Sequence, residues 1–133
     1  MQILTACLCD SAADYQGKLC ILGAFDTIAP PQVPVVHPAC ALALRFISRA
    51  GDEGAHQIRL ALIDSDGRDL LPPGSIKIDF NLPPLADNVF FASHNVVLNL
   101  QGLPLSAFAA YSFDVYVDGE IATRVPLQVV KLK

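Results

Sequence analysis

Apolar and polar residues alternate with a period of two along most of the chain. Ser75 to Leu82, SIKIDFNL, places Ile76, Ile78, Phe80 and Leu82 on one side and Ser75, Lys77, Asp79 and Asn81 on the other. That is the pattern of a half-buried strand, whose successive side chains point to opposite faces. Tyr111 to Asp118, YSFDVYVD, repeats it with Tyr111, Phe113, Val115 and Val117 inward. His56 to Asp64 turns Ile58, Leu60 and Leu62 inward, and Ser93 to Leu100 turns Val96, Leu98 and Leu100 inward. Ala39 to Ile47, ACALALRFI, is apolar on both sides, as a central strand covered on two faces would be.

The turn formers fall between these runs. Asp118-Gly119 separates two of them and predicts a tight hairpin, because a type I′ turn needs positive φ at both central residues. Asp66-Gly67 predicts a second turn. Pro30-Pro31, Pro34, Pro72-Pro73 and Pro83-Pro84 all lie between runs, where a missing N–H removes no ladder bond. Pro126 lies inside one, in RVPLQVVKLK, which marks an edge strand or a bulge. The pattern predicts about eight strands, near 2–9, 18–28, 39–48, 56–64, 75–82, 93–101, 111–118 and 121–131. No amphipathic helix is predicted beyond one short turn in 103–111. Strands at this spacing form a sandwich or barrel.

The stretch CDSAADYQGKLCILGAFDTI, residues 9–28, reads as strand, connection, strand. Leu4, Ala6 and Leu8 alternate with Thr5, Cys7 and Cys9. Asp10, Ser11, Asp14 and Gly17 are turn formers between this strand and the next. Gly17 accepts a backbone conformation that a β-carbon resists. Further on, Leu105 lies six residues before Tyr111, which opens a strand ending at a hairpin. This is the pattern of a tyrosine corner, in which the phenol bonds back to upstream backbone. It directs the fold to an all-β, immunoglobulin-like β-sandwich, a single domain over residues 1–133.

Composition sharpens this picture. Charged residues make up 17% of the 133 residues, against roughly 25% in average soluble domains. A folded chain of 14.2 kDa exposes roughly 6,800 Å². Its 9 basic and 13 acidic residues then leave about one charge per 310 Å². Such thin ionic cover implies that part of the surface is buried against another chain. A net charge of −4 without basic clusters argues against nucleic-acid binding. No apolar run reaches the length of a membrane span. LTAC at Leu4 to Cys7 resembles a lipoprotein processing site, but only six residues precede Cys7 and none is basic. The expected location is the cytoplasm, with the four cysteines reduced.

Candidate chemistry is sparse. Cys7 and Cys9 share one face of a strand, and Cys20 is expected near them across a hairpin. No C-x-x-C pair occurs, so the zinc-ribbon pattern is absent. The cysteines read as small buried apolar residues. His37 and Cys40 are weak metal candidates in one loop region. Asp64, Asp66 and Asp69 bring three carboxylates into DSDGRD, a weak site for a hard cation, though without the glycine and glutamate of an EF-hand loop. The plainer reading is a turn with Arg68 offsetting the charge. His56 and His94 complete the histidines; no G-x-S-x-G elbow marks a nucleophile. No cofactor is expected.

Several of these residues also carry a resemblance. Ala13-Asp14, Gly17-Lys18-Leu19, Leu22-Gly23 and Phe25-Asp26, followed by Asn99-Leu100-Gln101-Gly102-Leu103, Tyr111, Asp118-Gly119 and Pro126-Leu127, make the chain resemble a family of small uncharacterised bacterial proteins. The resemblance implies a shared fold over nearly the whole chain and no assigned activity. The expected function is a non-enzymatic interaction or assembly module, homo-oligomeric or docked on a partner protein. Apolar residues on outward positions, Val97 and Val130 beside inward Val96 and Val129, favour it. The alternative is a small-ligand or metal-binding sandwich.

Overall fold

A computed structural model describes residues 1–72 and 74–132; Pro73, placed by the sequence between two strands, lies outside the described residues. The chain forms β1 (Gln2–Tyr15), β2 (Lys18–Ala24), β3 (Thr27–Ile28), β4 (Val35–Ser48), β5 (Gly54–Ile63), β6 (Lys77–Leu82), β7 (Ala92–Leu105), β8 (Ala110–Val117) and β9 (Glu120–Val129), with no helix among the described residues. The strands make two open sheets, ordered β2-β1-β4-β7 and β3-β9-β8-β5-β6. All pairings are antiparallel except β3 with β9.

The sheets meet over one core, and the alternation predicts its members. Ile58, Leu60 and Leu62 of β5, Phe113 and Val115 of β8, and Leu98 and Leu100 of β7 are all buried there. Leu42, Leu44 and Phe46 of β4 face them. Burying these side chains removes apolar area from water, the main favourable term in folding. β4 is central in its sheet, and its other face is covered too: Ala41 and Ala43 pack with Cys9 in a second, smaller cluster. That two-sided burial explains why residues 39–47 show no alternation.

Three expectations need correction. The predicted strand 18–28 is two strands in different sheets. Ala24 still pairs with Cys9 and Phe25 N still donates to Leu8 O at 2.9 Å; the chain then leaves the first sheet, and β3 pairs with β9 of the second. Within β2, Gly23 has a φ of 72°, which a β-carbon resists, and a Cβ there would also lie 2.6 Å from the Asp10 carboxylate. Second, residues 10–15 are not a connection. β1 runs on to Tyr15, and the turn is only Gln16-Gly17, with φ of 53° and 80°. Cross-strand pairing of Ser11 to Tyr15 with Lys18 to Leu22 overrides the turn preference of Asp10, Ser11 and Asp14. Asp14 and Gly17 act as foreseen, Asp14 accepting from Gly17 N at 3.0 Å and Gly17 taking the positive φ. Third, the register shifts between Ile3 and Thr5, and this irregularity leaves Leu4 outward.

Other expectations agree with the coordinates. Asp118-Gly119 closes a hairpin with φ of 52° and 84°. Gly67 N donates to Asp64 O at 3.1 Å in the second turn. The Tyr111 hydroxyl donates to Ala107 O at 3.0 Å and accepts from Ala107 N at 3.2 Å. Pro126 pairs with Ser112 on a stretch of β9 that β3 does not reach, since β3 pairs only with Gln128 and Val129. Residues 103–105 continue β7, and no helical turn forms in 103–111.

Candidate interaction surface

The end of β1 and all of β2 form a hairpin arm. In the sheet, Cys9 lies beside Ala41 and Thr5 lies beside Arg45. An arm continuing straight from Cys9 would therefore move away from Arg45. Instead its tip returns there: Arg45 Nη1 donates to Gly17 O at 3.0 Å and to Asn95 Oδ1 at 2.7 Å. Asn95 Nδ2 in turn donates to Asp14 Oδ2 at 2.9 Å. The arm is thus folded back over the outer face of its own sheet. Its inner side brings Ala12 and Leu19 onto Cys9, Ala41 and Ala43, with Cys7 and Val97 at the margin. The Asn95 and Gly17 bonds, with Arg45 nearby, hold the Asp14 carboxyl below its ordinary range.

The other side of the arm is greasy and uncovered. Leu22 is 71% exposed and Tyr15 59%, while Ile21, paired with Ala12, shares the inner side and still stays 38% exposed at its open margin. Cys20, expected near Cys7 and Cys9, instead pairs with Ala13 and is exposed. Sequence reasoning missed this row because it took residues 10–17 as a loop. Val97, taken as an exposed outward residue, is half-buried against the cluster under the arm. A second exposed apolar group lies between β6 and β7, where Phe90 is 92% exposed and Phe91 51%.

The metal candidates are placed as follows. His37 pairs with Leu103 near one end of β4, its ring 5.9 Å from that of Phe25. Cys40 is buried in the main core, and burial pushes its thiol up to about 11, leaving it protonated and a poor ligand. Asp64 Oδ1 accepts from the backbone N–H groups of Asp66 and Arg68, both at 2.9 Å. Asp69 Oδ1 accepts from Leu62 N at 3.2 Å and Leu71 N at 3.0 Å. Both carboxylates are therefore turn acceptors, and Asp66 is exposed beside them. Among the described residues no three His, Cys, Asp or Glu side chains converge as a metal site would require.

Two histidine clusters have no signature in sequence. His56 Nδ1 lies 2.6 Å from Asp118 Oδ2, and its Nε2 lies 2.6 Å from Asp52 O. Both neighbours are acceptors, so only the imidazolium satisfies both ring nitrogens. The Asp118 hydrogen bond, then that to Asp52, raises the pKa of His56 above its ordinary 6.5. Asp118 is lowered in return, first by His56, and it also accepts from Gln57 N at 2.9 Å. Asp52 lies 3.4 Å from the amino group of Met1. These groups line a cleft of about 510 Å³ with Val117, Glu120 and Ile121. The second cluster pairs His94 Nε2 with Ser48 Oγ at 2.9 Å, over the ring of Phe46 at 5.0 Å. Burial lowers the pKa of His94, and Ser48 is buried.

Among the described residues no helix is long and apolar enough to cross a membrane. A family model described as a family of unknown function (DUF6941) matches residues 4–130. No curated protein matches the sequence.

Proposed function

The chain belongs to this family of unknown function, and we propose that it is a non-enzymatic interaction module, acting by self-association or by docking on a partner protein. The observation that carries this reading is the uncovered side of Tyr15, Cys20 and Leu22, with Ile21 exposed at the open margin, on an arm whose outer strand is a sheet edge. Such a surface combines apolar area with unpaired backbone groups, the two components of strand addition. The thin charge cover supports it. The 22 charged side chains, 9 plus 13, serve a surface of 7848 Å².

The reading includes an immunoglobulin-like sandwich. Its supports are the strand orders β1-β4-β7 and β9-β8-β5, and the Tyr111 hydroxyl bonded to backbone four residues upstream at the start of β8. The four unpaired thiols fit a reducing, cytoplasmic setting. Hydrodynamic mass tests the function. The tagged protein, sized both purified and in fresh extract of its own cells, is expected to travel in a particle heavier than 14.2 kDa in at least one of the two. A monomer in both would overturn the reading.

A further inference from the structure

Among the described residues the two sheets end in β3, β6, β7 and β2, and these strands differ in what guards them. β3 is two residues long, and β6 has six residues with Lys77 and Asp79 along it. β7 is long; Pro104 and a φ of 66° at Gly102 interrupt its end, and along residues 92–101, which hold no proline, the exposed side chains are the polar Ser93, Asn99 and Gln101. Charges, prolines and irregular backbone are the ordinary means by which an edge is kept from pairing. β2, KLCILGA, has no proline and no acid, and its single charge, Lys18, sits at the turn.

The turn fixes which backbone groups of β2 are free. In a two-residue I′ hairpin the flanking residues, here Tyr15 and Lys18, exchange hydrogen bonds. The pairs Ala13 with Cys20 and Ser11 with Leu22 follow with the same parity. Leu19 and Ile21 therefore direct their N–H and C=O groups away from β1, to the open edge. Ile21 is the middle residue of β2.

We propose that a second copy of this chain pairs antiparallel with the β2 edge about a two-fold axis at Ile21, joining two four-stranded sheets into one of eight. This deepens the interaction reading above and rests on it. A two-fold contact must be self-complementary, and this register is. Ile21 faces its own copy, Cys20 faces Leu22 in both directions, and Lys18 faces Ala24. No two charges of like sign are opposed, and the exposed Leu22 and Cys20 side chains gain apolar neighbours across the axis.

Sedimentation equilibrium at up to about 200 μM tests the pairing, a range that reaches weak dimers. The wild type is expected at twice 14.2 kDa. Ile21→Lys and Ile21→Glu each oppose like charges at the axis and are expected to be monomers. An equimolar mixture of the two opposes unlike charges and is expected to restore the dimer. Circular dichroism establishes that each variant is folded. A monomeric wild type, a dimeric single variant, or a mixture of folded variants that stays monomeric overturns the pairing. If the purified wild type is a monomer while the extract contains a heavier particle, this pairing fails and the broader interaction reading stands; monomers in both overturn both.

Discussion

Removing one oxygen, by Tyr111→Phe, tests how the end of β7 is tied to β8. The Tyr111 ring is buried in the core, 5% exposed, and only its hydroxyl reaches the 106–109 segment. That hydroxyl makes two bonds, to Ala107 O at 3.0 Å and from Ala107 N at 3.2 Å. Phenylalanine keeps the ring and leaves no cavity of consequence, so the cost is confined to these bonds. Two ordinary hydrogen bonds contribute about 1 kcal/mol each. Ala107 is exposed, so water replaces its lost partners and no desolvation penalty is added. The expected loss is about 1–2 kcal/mol, well below the ~3–5 kcal/mol of emptying the site by Tyr111→Ala. Urea unfolding followed by circular dichroism measures it, with an unchanged m-value showing that only stability moved. Tyr116→Phe is the control on the same strand: its ring lies under Arg59 at 3.9 Å, and the change is expected to cost under ~0.5 kcal/mol. A Tyr111→Phe loss no larger than that of the control refutes the tie, and a loss above ~3 kcal/mol refutes the claim that water replaces the hydroxyl.

Arg45→Ala removes the bonds to Gly17 O and Asn95; it is expected to speed proteolysis and amide exchange within residues 10–24 while the sandwich keeps its unfolding free energy to within about 1 kcal/mol. Uniform acceleration throughout the chain would count against a separately docked arm. Gly23→Ala is expected to cost about 1–3 kcal/mol by urea unfolding, because it combines φ of 72° with a Cβ at 2.6 Å from the Asp10 carboxylate; a neutral change contradicts a strained backbone at this position. The His56 pKa is raised, so its stabilisation is complete below its unfolded value of 6.5 and is lost as pH rises through the higher folded value. The stability difference between wild type and His56→Gln is therefore expected to shrink from mildly acidic to mildly alkaline pH. The proton NMR titration midpoint of His56 should lie above that of His94, which burial lowers; the reverse order refutes both assignments.

Much of the fold is legible because its core strands each have one wet face. In β5, β6 and β8 the alternation names the inward residues directly, and the turn chemistry of Asp118-Gly119 fixes the last hairpin. Legibility fails where two apolar layers stack. Small residues such as Ala12, Ala13, Gly17 and Gly23 interrupt the apolar pattern of residues 10–28, so neither the strands of the arm nor the change of sheet after Phe25 stands out. Turn preferences of Asp10, Ser11 and Asp14 then dominate a local reading, and only pairing with β2 reverses them. The His56 and His94 clusters are joined by contacts 62 and 46 residues apart, a separation that carries no local signal. The carboxylates of DSDGRD are legible as a turn because their partners lie within seven residues.

The arm also accounts for why this domain keeps an open edge at all. Without it, the outer face of the first sheet would present Cys9, Ala41 and Ala43 to water, with Cys7 and Val97 beside them. Small side chains there let the arm lie close, and Ala12 and Leu19 complete the layer. A hairpin used as a cover, however, brings a strand with two edges, and β1 satisfies only one of them. β3 is short, β6 is charged and the exposed side chains of β7 at 92–101 are polar, whereas β2 exposes Cys20, Ile21 and Leu22. A proline at position 21 would remove the hazard without breaking a bond to β1, since the Ile21 N–H points away from β1. The sequence instead places apolar Ile21 and Leu22 there, exposed. An edge left open where closing it would cost the fold so little is an edge with a use, and β2 is where that use is to be sought.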